Sequence, residues 1–214
     1  MIVDKAGIFY GTTIRGGGTC PDNSIGCGTV YKLTPPKTGN VWSETVLRRF
    51  DNGAYGGEPQ GNLALDADGN LYGTAEEGGD DCLAGGAYGC GLAFELMPPK
   101  AGQKIWPEQV IHKFEGPDGL YPVTGMVRIS SGTLYGTTPT GESNAGVVFS
   151  LAPPKSGKGN WTVTPLYSFT SVAAGETSGQ IAEIGGILYG ATEAGGSCPK
   201  ITSAGCGVAF KVVP

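Results

Sequence analysis

The sequence predicts an all-β fold: a β-propeller of four blades, each with four antiparallel strands, and the last blade incomplete. Three observations carry that reading. Ile8-Phe9-Tyr10-Gly11-Thr12 returns as Asn70-Leu71-Tyr72-Gly73-Thr74, Thr133-Leu134-Tyr135-Gly136-Thr137 and Ile187-Leu188-Tyr189-Gly190-Ala191, at intervals of 62, 63 and 54 residues. Val30-Tyr31-Lys32-Leu33 keeps step with it as Ala93-Phe94-Glu95-Leu96, Val148-Phe149-Ser150-Leu151 and Ala209-Phe210-Lys211-Val212. Pro35-Pro36-Lys37, Pro98-Pro99-Lys100 and Pro153-Pro154-Lys155 follow three of these, each succeeded by a tryptophan (Trp42, Trp106, Trp161) and then a phenylalanine (Phe50, Phe114, Phe169). Self-similarity at such a period means one supersecondary unit used four times.

Within the second unit the strands fall at 61–66, 71–75, 91–96 and 106–114. Val, Leu, Phe and Tyr alternate there with small or polar residues, as a half-buried strand requires. Turn signals separate them: Asp68-Gly69-Asn70, Ser131-Gly132, Gly185-Gly186 and Pro-Pro-Lys-x-Gly. No stretch holds a helical period over three turns. Short four-stranded units repeated radially make a propeller. The chain thus reads as a single domain over 1–214, with blades near 1–50, 61–114, 125–169 and 179–214. The fourth blade lacks its outer strand, so the ring either tolerates an incomplete blade or closes differently. A monomer and a ring-completing dimer are both compatible with this pattern.

Composition narrows the function classes. Hydrophobic residues make 39% and charged residues 15% of the chain, which suits a folded domain, and the 39 glycines sit at fixed repeat offsets rather than in a low-complexity run. No segment approaches the ~20 apolar residues of a membrane-crossing helix. A net charge of −5 disfavours nucleic acid, whose phosphates are held by Lys and Arg. The opening residues run almost directly into a strand, as expected of a mature or trimmed form.

Six cysteines form three close pairs, Cys20-Cys27, Cys82-Cys90 and Cys198-Cys206, each between the Tyr-Gly strand and the strand after it. The third repeat has a shorter loop there and no cysteine. Pairs gained or lost together predict local disulfides and an oxidising, extracytoplasmic home, secreted or at the cell surface. Zinc would need two further ligands per pair, and the chain has one histidine.

The order of strands looks like the kelch arrangement. More specifically, Asp66-Ala67-Asp68-Gly69-Asn70-Leu71-Tyr72-Gly73-Thr74, Cys27-Gly28-Thr29-Val30-Tyr31-Lys32-Leu33 and Pro165-Leu166-Tyr167-Ser168-Phe169 resemble the bacterial tandem-repeat family labelled GloVer, over essentially the whole chain. The resemblance implies a propeller-like extracellular repeat and carries over no catalytic motif. The Pro-Pro-Lys-x-Gly insertion lengthens the repeat beyond the family's common spacing, so the blade count is not taken from it.

Strands that alternate in direction send their connections alternately to two ends of the molecule. Short turns with Lys5, Lys37, Lys100, Lys104, Lys155 and Lys158 fall at one end. Long loops at the other carry Asp22, Asp51, Glu58, Glu76, Glu77, Asp80, Asp81, Glu115, Asp118, Glu142, Glu176 and Glu193 against only Arg15 and Lys200. Loops on a rigid scaffold are where function concentrates. Solubility is the plain reading of an acidic end, since acids in loops keep an extracellular protein apart from its neighbours. Carbohydrate binding is the functional reading, with Tyr55, Tyr88, Tyr121 and Asp118 as the expected contacts, since sugar faces stack on aromatic rings and hydroxyls donate to carboxylates. The alternative is a glycan-cleaving enzyme, which needs a carboxylate pair. Glu76 and Glu193 occupy equivalent repeat positions and are the expected pair, with Glu58 as a third candidate. A purely structural surface module is the third reading. No cofactor is expected; Asp80 and Asp81 offer calcium oxygen ligands without the spaced order of a calcium loop. His112, aligned with Arg48 and Tyr167, is expected at the surface.

Overall fold

The computed structural model describes residues 1–18, 20, 26–79, 82, 89–141, 145–155, 157, 159–170, 179–196 and 205–214. Their regular structure is entirely β. The first sheet joins β1 (Ile2–Val3), β2 (Phe9–Thr13), β3 (Thr29–Thr34) and β4 (Ser43–Arg49) in sequence order. The second joins β5 (Gly57–Leu65), β6 (Leu71–Glu77), β7 (Leu92–Leu96) and β8 (Glu108–Lys113), and the third β9 (Val127–Arg128), β10 (Leu134–Thr138), β11 (Val147–Ala152) and β12 (Thr162–Ser168). The fourth has three strands, β13 (Ala182–Ile184), β14 (Ile187–Ala191) and β15 (Ala209–Val212). Every pairing is antiparallel, and each sheet is a meander in a propeller-like array.

The recurrent Tyr-Gly pair has a packing cause. A β-carbon at Gly73 would sit against the Phe94 ring, and one at Gly136 or Gly190 against Phe149 or Phe210. Registers Gly73↔Phe94, Gly136↔Phe149 and Gly190↔Phe210 put each ring across the glycine, so only a residue without a side chain fits. The turn before the tyrosine is equally specified. Asp66 Oδ1 accepts from the amides of Asp68 and Asn70 while Oδ2 accepts from the Tyr72 hydroxyl at 2.9 Å. Asp4 repeats this with Ala6, Ile8 and Tyr10. Burial, helped by Asp4, pushes the Tyr10 phenol up to about 12.

Sheets stack through apolar clusters. Tyr10, Val30, Leu47 and Phe50 of the first meet Leu71, Leu92, Phe94 and Leu96 of the second. Tyr72, Ala93, Ile111 and Phe114 meet Leu134, Phe149 and Leu151, and then Tyr135, Val148 and Phe169 meet Leu188, Phe210 and Val212. The phenylalanine that follows each outer strand packs on the next sheet: Phe50–Phe94 at 5.3 Å, Phe114–Phe149 at 5.1 Å and Phe169–Phe210 at 5.5 Å. The motif threonine crosses as well, Thr12 Oγ1 donating to Gly61 O and Thr74 Oγ1 to Thr124 O. Trp106 and Trp161 join these junctions, the latter 5.8 Å from Tyr72.

Among the described residues no apolar cluster joins the fourth sheet to the first. First strands gather at an axis, where the Met1 ammonium donates to Asn62 Oδ1 at 2.6 Å and Asn62 Nδ2 donates to Gln180 Oε1 at 2.7 Å. Tyr10, Tyr72 and Tyr135 are buried, whereas Tyr189 of the fourth sheet is 40% exposed.

Candidate functional site

The acidic long-loop end is built by one backbone arrangement used repeatedly. Gly28, Gly91 and Gly207 donate their amides to Gly16, Gly78 and Gly195, closing the loop behind each Tyr-Gly strand. Disulfides Cys20–Cys27 and Cys82–Cys90, with Cα atoms 5.5 and 5.6 Å apart, staple the first two loops. Cys206 is disulfide-bonded too, while its expected partner Cys198 lies outside the described residues. Bridges of this kind point to an oxidising, extracytoplasmic environment. The first two stapled loops then grip the next sheet: Glu58 N–H donates to Cys27 O at 2.7 Å, and Tyr121 N–H donates to Cys90 O at 2.9 Å. Both residues sit at positive φ, 58 at +51° and 121 at +54°, a conformation side chains rarely adopt.

At the first junction this frame collects carboxylates. The β5–β6 register pairs Gly57 with Glu77 and Pro59 with Ala75, so Glu58, Glu76 and Glu77 share one end of one hairpin. Arg15, from the loop after β2, reaches Glu58 Oε1 at 2.8 Å. Gln60 Nε2 donates to Glu76 Oε2, and Asn52 Nδ2 donates to Glu77 Oε2. Burial first, and the negative charge of Glu58 second, raise both Glu76 and Glu77 above the usual carboxylate range, against the pull of the amide donors and Arg15. Glu76 and Glu77 therefore hold protons more readily than isolated carboxyls. Such a group can accept hydrogen bonds from hydroxyls and can give or take a proton.

The turn joining β4 to β5 places Tyr55 half-exposed, its ring centroid 5.6 Å from the Arg48 guanidinium. Arg48 also pairs through Nε with Glu108 Oε2 at 2.5 Å, tying the outer strands β4 and β8. Burial outweighs Arg48 here and pushes the Glu108 carboxyl up to about 7. Tyr121 is partly buried. Asp118, expected as a ligand contact, is buried and engaged: His112 Nε2 lies 2.5 Å from Oδ2, and the Glu115 amide donates to Oδ1 at 3.0 Å. Burial alone would raise Asp118, yet the His112 and backbone hydrogen bonds outweigh it and hold it below the usual value. His112, expected at the surface, is mostly buried and packs edge-on to Phe114 at 4.8 Å.

Glu193 stands exposed beside Thr192, and among the described residues the groups that act on Glu76 are Glu58, Gln60 and Arg15, not Glu193. Glu76 is instead grouped with Glu58, which the register explains. Tyr88, Asp80 and Asp81 lie outside the described residues. Among the described residues no group of three or more His, Cys, Asp or Glu is arranged to hold a metal ion. At the opposite, short-turn end, a cleft of about 400 Å³ lies between Asp4, Lys5, Tyr10, Asp66 and Asp68. The Asp4 and Asp66 carboxylates there are occupied by their own turns.

The repeated strand order, the Tyr-Gly-Thr core and the stapled loops agree with a match of residues 1–204 to the Gloeobacter/Verrucomicrobia repeat model. The chain belongs to the Gloeobacter/Verrucomicrobia repeat family. None of the curated proteins matches it. Membership accounts for the features common to the sheets; within the acid group Glu76 recurs as Glu193, whereas Glu77 stands where other copies have Arg15 and Ala194, and Glu58 where the next junction has Tyr121.

Proposed function

We propose that this Gloeobacter/Verrucomicrobia repeat protein is secreted or held at the cell surface and binds carbohydrate through the long-loop end of its first junction. The grouping of Glu58, Glu76 and Glu77 near the turn of half-exposed Tyr55 carries the reading. A tyrosine ring offers a stacking platform for the apolar face of a sugar. Carboxylates accept strong hydrogen bonds from its hydroxyls. Because Glu76 and Glu77 are raised, binding through their ionised forms weakens as pH falls toward the ordinary carboxylate range. The test is retardation of purified protein on a panel of immobilised polysaccharides. Retardation by one of them that is lost in Glu76→Gln/Glu77→Gln and reduced in Tyr55→Ala supports the reading; free passage over every polysaccharide overturns it.

A second reading, a glycoside hydrolase, rests on the raised carboxylates beside Glu58, since a general acid must keep its proton near neutral pH. Chromatography of the same polysaccharides after incubation decides it. New oligosaccharides that vanish in the double variant establish the hydrolase, and intact substrate alongside retardation leaves binding as the function.

A further inference from the structure

The two end sheets each present the half of a junction whose other half is found at the opposite end of the same chain. Inside the array, one side of a sheet offers Tyr72 and Ala93, or Tyr135 and Val148, and the facing side of the next offers Leu134, Phe149 and Leu151, or Leu188, Phe210 and Val212. On the fourth sheet the equivalent outward positions are Tyr189 and Ala209, both exposed, with Ile184 on the same side at 66% exposure. On the first sheet the outward positions are Phe9, Tyr31 and Leu33, only partly buried where their counterparts Leu71, Phe94 and Leu96 are fully buried. Val3 on that side is 54% exposed, and Trp42, 5.6 Å from Phe9, is 46% exposed. Trp161, its counterpart in the third sheet, is covered by Tyr72 of the preceding sheet.

We propose that the fourth sheet of one copy docks on the first sheet of a second copy, head to tail, with Tyr189 seated against Trp42 as Tyr72 is seated against Trp161. The occupant is a second copy because both complementary surfaces belong to this chain and continue a junction already made within it. Alternation of donor and acceptor surfaces makes the contact heterologous, so each copy leaves one of each type and association proceeds until a ring closes or a chain extends. The docked junction differs from the first two internal ones in one respect. Ala191 stands where Thr12 and Thr74 donate to the next sheet, so that cross-junction hydrogen bond is missing. Nothing in this contact draws on the carboxylate group.

Two measurements test it on the intact chain. Sedimentation velocity across a wide concentration range reads mass: growth from 21.8 kDa to a dimer or larger is expected, with association weakened about tenfold or more in Tyr189→Asp. A species that stays at 21.8 kDa throughout overturns the proposal. The second mixes Tyr189→Cys protein with Trp42→Cys protein and a short bis-maleimide; both positions are exposed, and near-ultraviolet circular dichroism checks that each variant is folded. A covalent dimer that needs both variants supports head-to-tail docking. Linking within either variant alone shows like ends meeting and overturns it.

Discussion

Two junctions built on the same backbone carry different chemistry. Between the first and second sheets, strand residue Arg48 reaches turn residue Tyr55 through its guanidinium face; between the second and third, His112 reaches Asp118 by a hydrogen bond of 2.5 Å. The turns correspond, since Gly53↔Gly56 and Gly116↔Gly119 close them alike, and each is followed by a positive-φ residue whose amide is held by a cysteine carbonyl. A cation-capable side chain therefore leaves the same strand position and finds an aromatic ring in one case and a carboxylate in the other. The outer strands differ in parallel. Glu108, opposite Leu96, gives Arg48 its second partner, whereas Val163, opposite Leu151, packs into an apolar junction. The repeat fixes main-chain geometry and leaves the polar partner to be chosen locally, which is how one junction came to gather acids.

Breaking each half of that comparison yields a ranked set of outcomes. The largest is expected at Glu108. Its folded-state value of about 7 lies above the ordinary 4.5, so the fold binds the extra proton and loses stability as pH rises from about 4.5 through 7. Glu108→Gln removes that slope and gains about 3 kcal/mol at pH 8, read by urea denaturation at several pH values. Val163 offers no such slope in the second junction. Next comes the pair of staples: replacing Cys20 and Cys27, or Cys82 and Cys90, by serine costs about 2–3 kcal/mol for loops this short, and equal losses at the two junctions show that the backbone frame is shared.

The Asp118 pair has the opposite sign. Its depressed value means stability that is present above the ordinary carboxylate range and is lost as pH falls through the folded value. Asp118→Asn costs about 2 kcal/mol at pH 7 and the difference closes in acid, again by denaturation. Tyr55→Ala is the smallest change. Loss of one partly exposed cation–π contact costs about 0.5–1 kcal/mol by thermal melting, with no pH dependence near neutrality.

Most of the fold was legible because its causes are local. Tyr72, Gly73 and Phe94 constrain one another across one register, so their recurrence marked the strands and their order. Loop disulfides were legible for the same reason. The acid group was only half legible. Pairing Glu76 with Glu193 followed repeat symmetry, but adjacency here comes from the hairpin, where Gly57 opposite Glu77 brings Glu58 beside both acids. His112 was hidden because its partner sits in a turn rather than in a repeated strand position, and no periodicity reports a side chain reaching a turn. The exposure of Tyr189 was hidden as well, since a repeat motif reads the same with or without a neighbour.

The cysteine carbonyls give the stapled loops a mechanical meaning. Cys27 and Cys90 each belong to one sheet yet hold the entry residue of the next, Glu58 and Tyr121. A thiol reductant acting on these bridges would therefore slacken the hinges between sheets before the sheets themselves. Such a chain would lose its relative alignment, and become open to proteases at the connecting segments, while each meander kept its own strands.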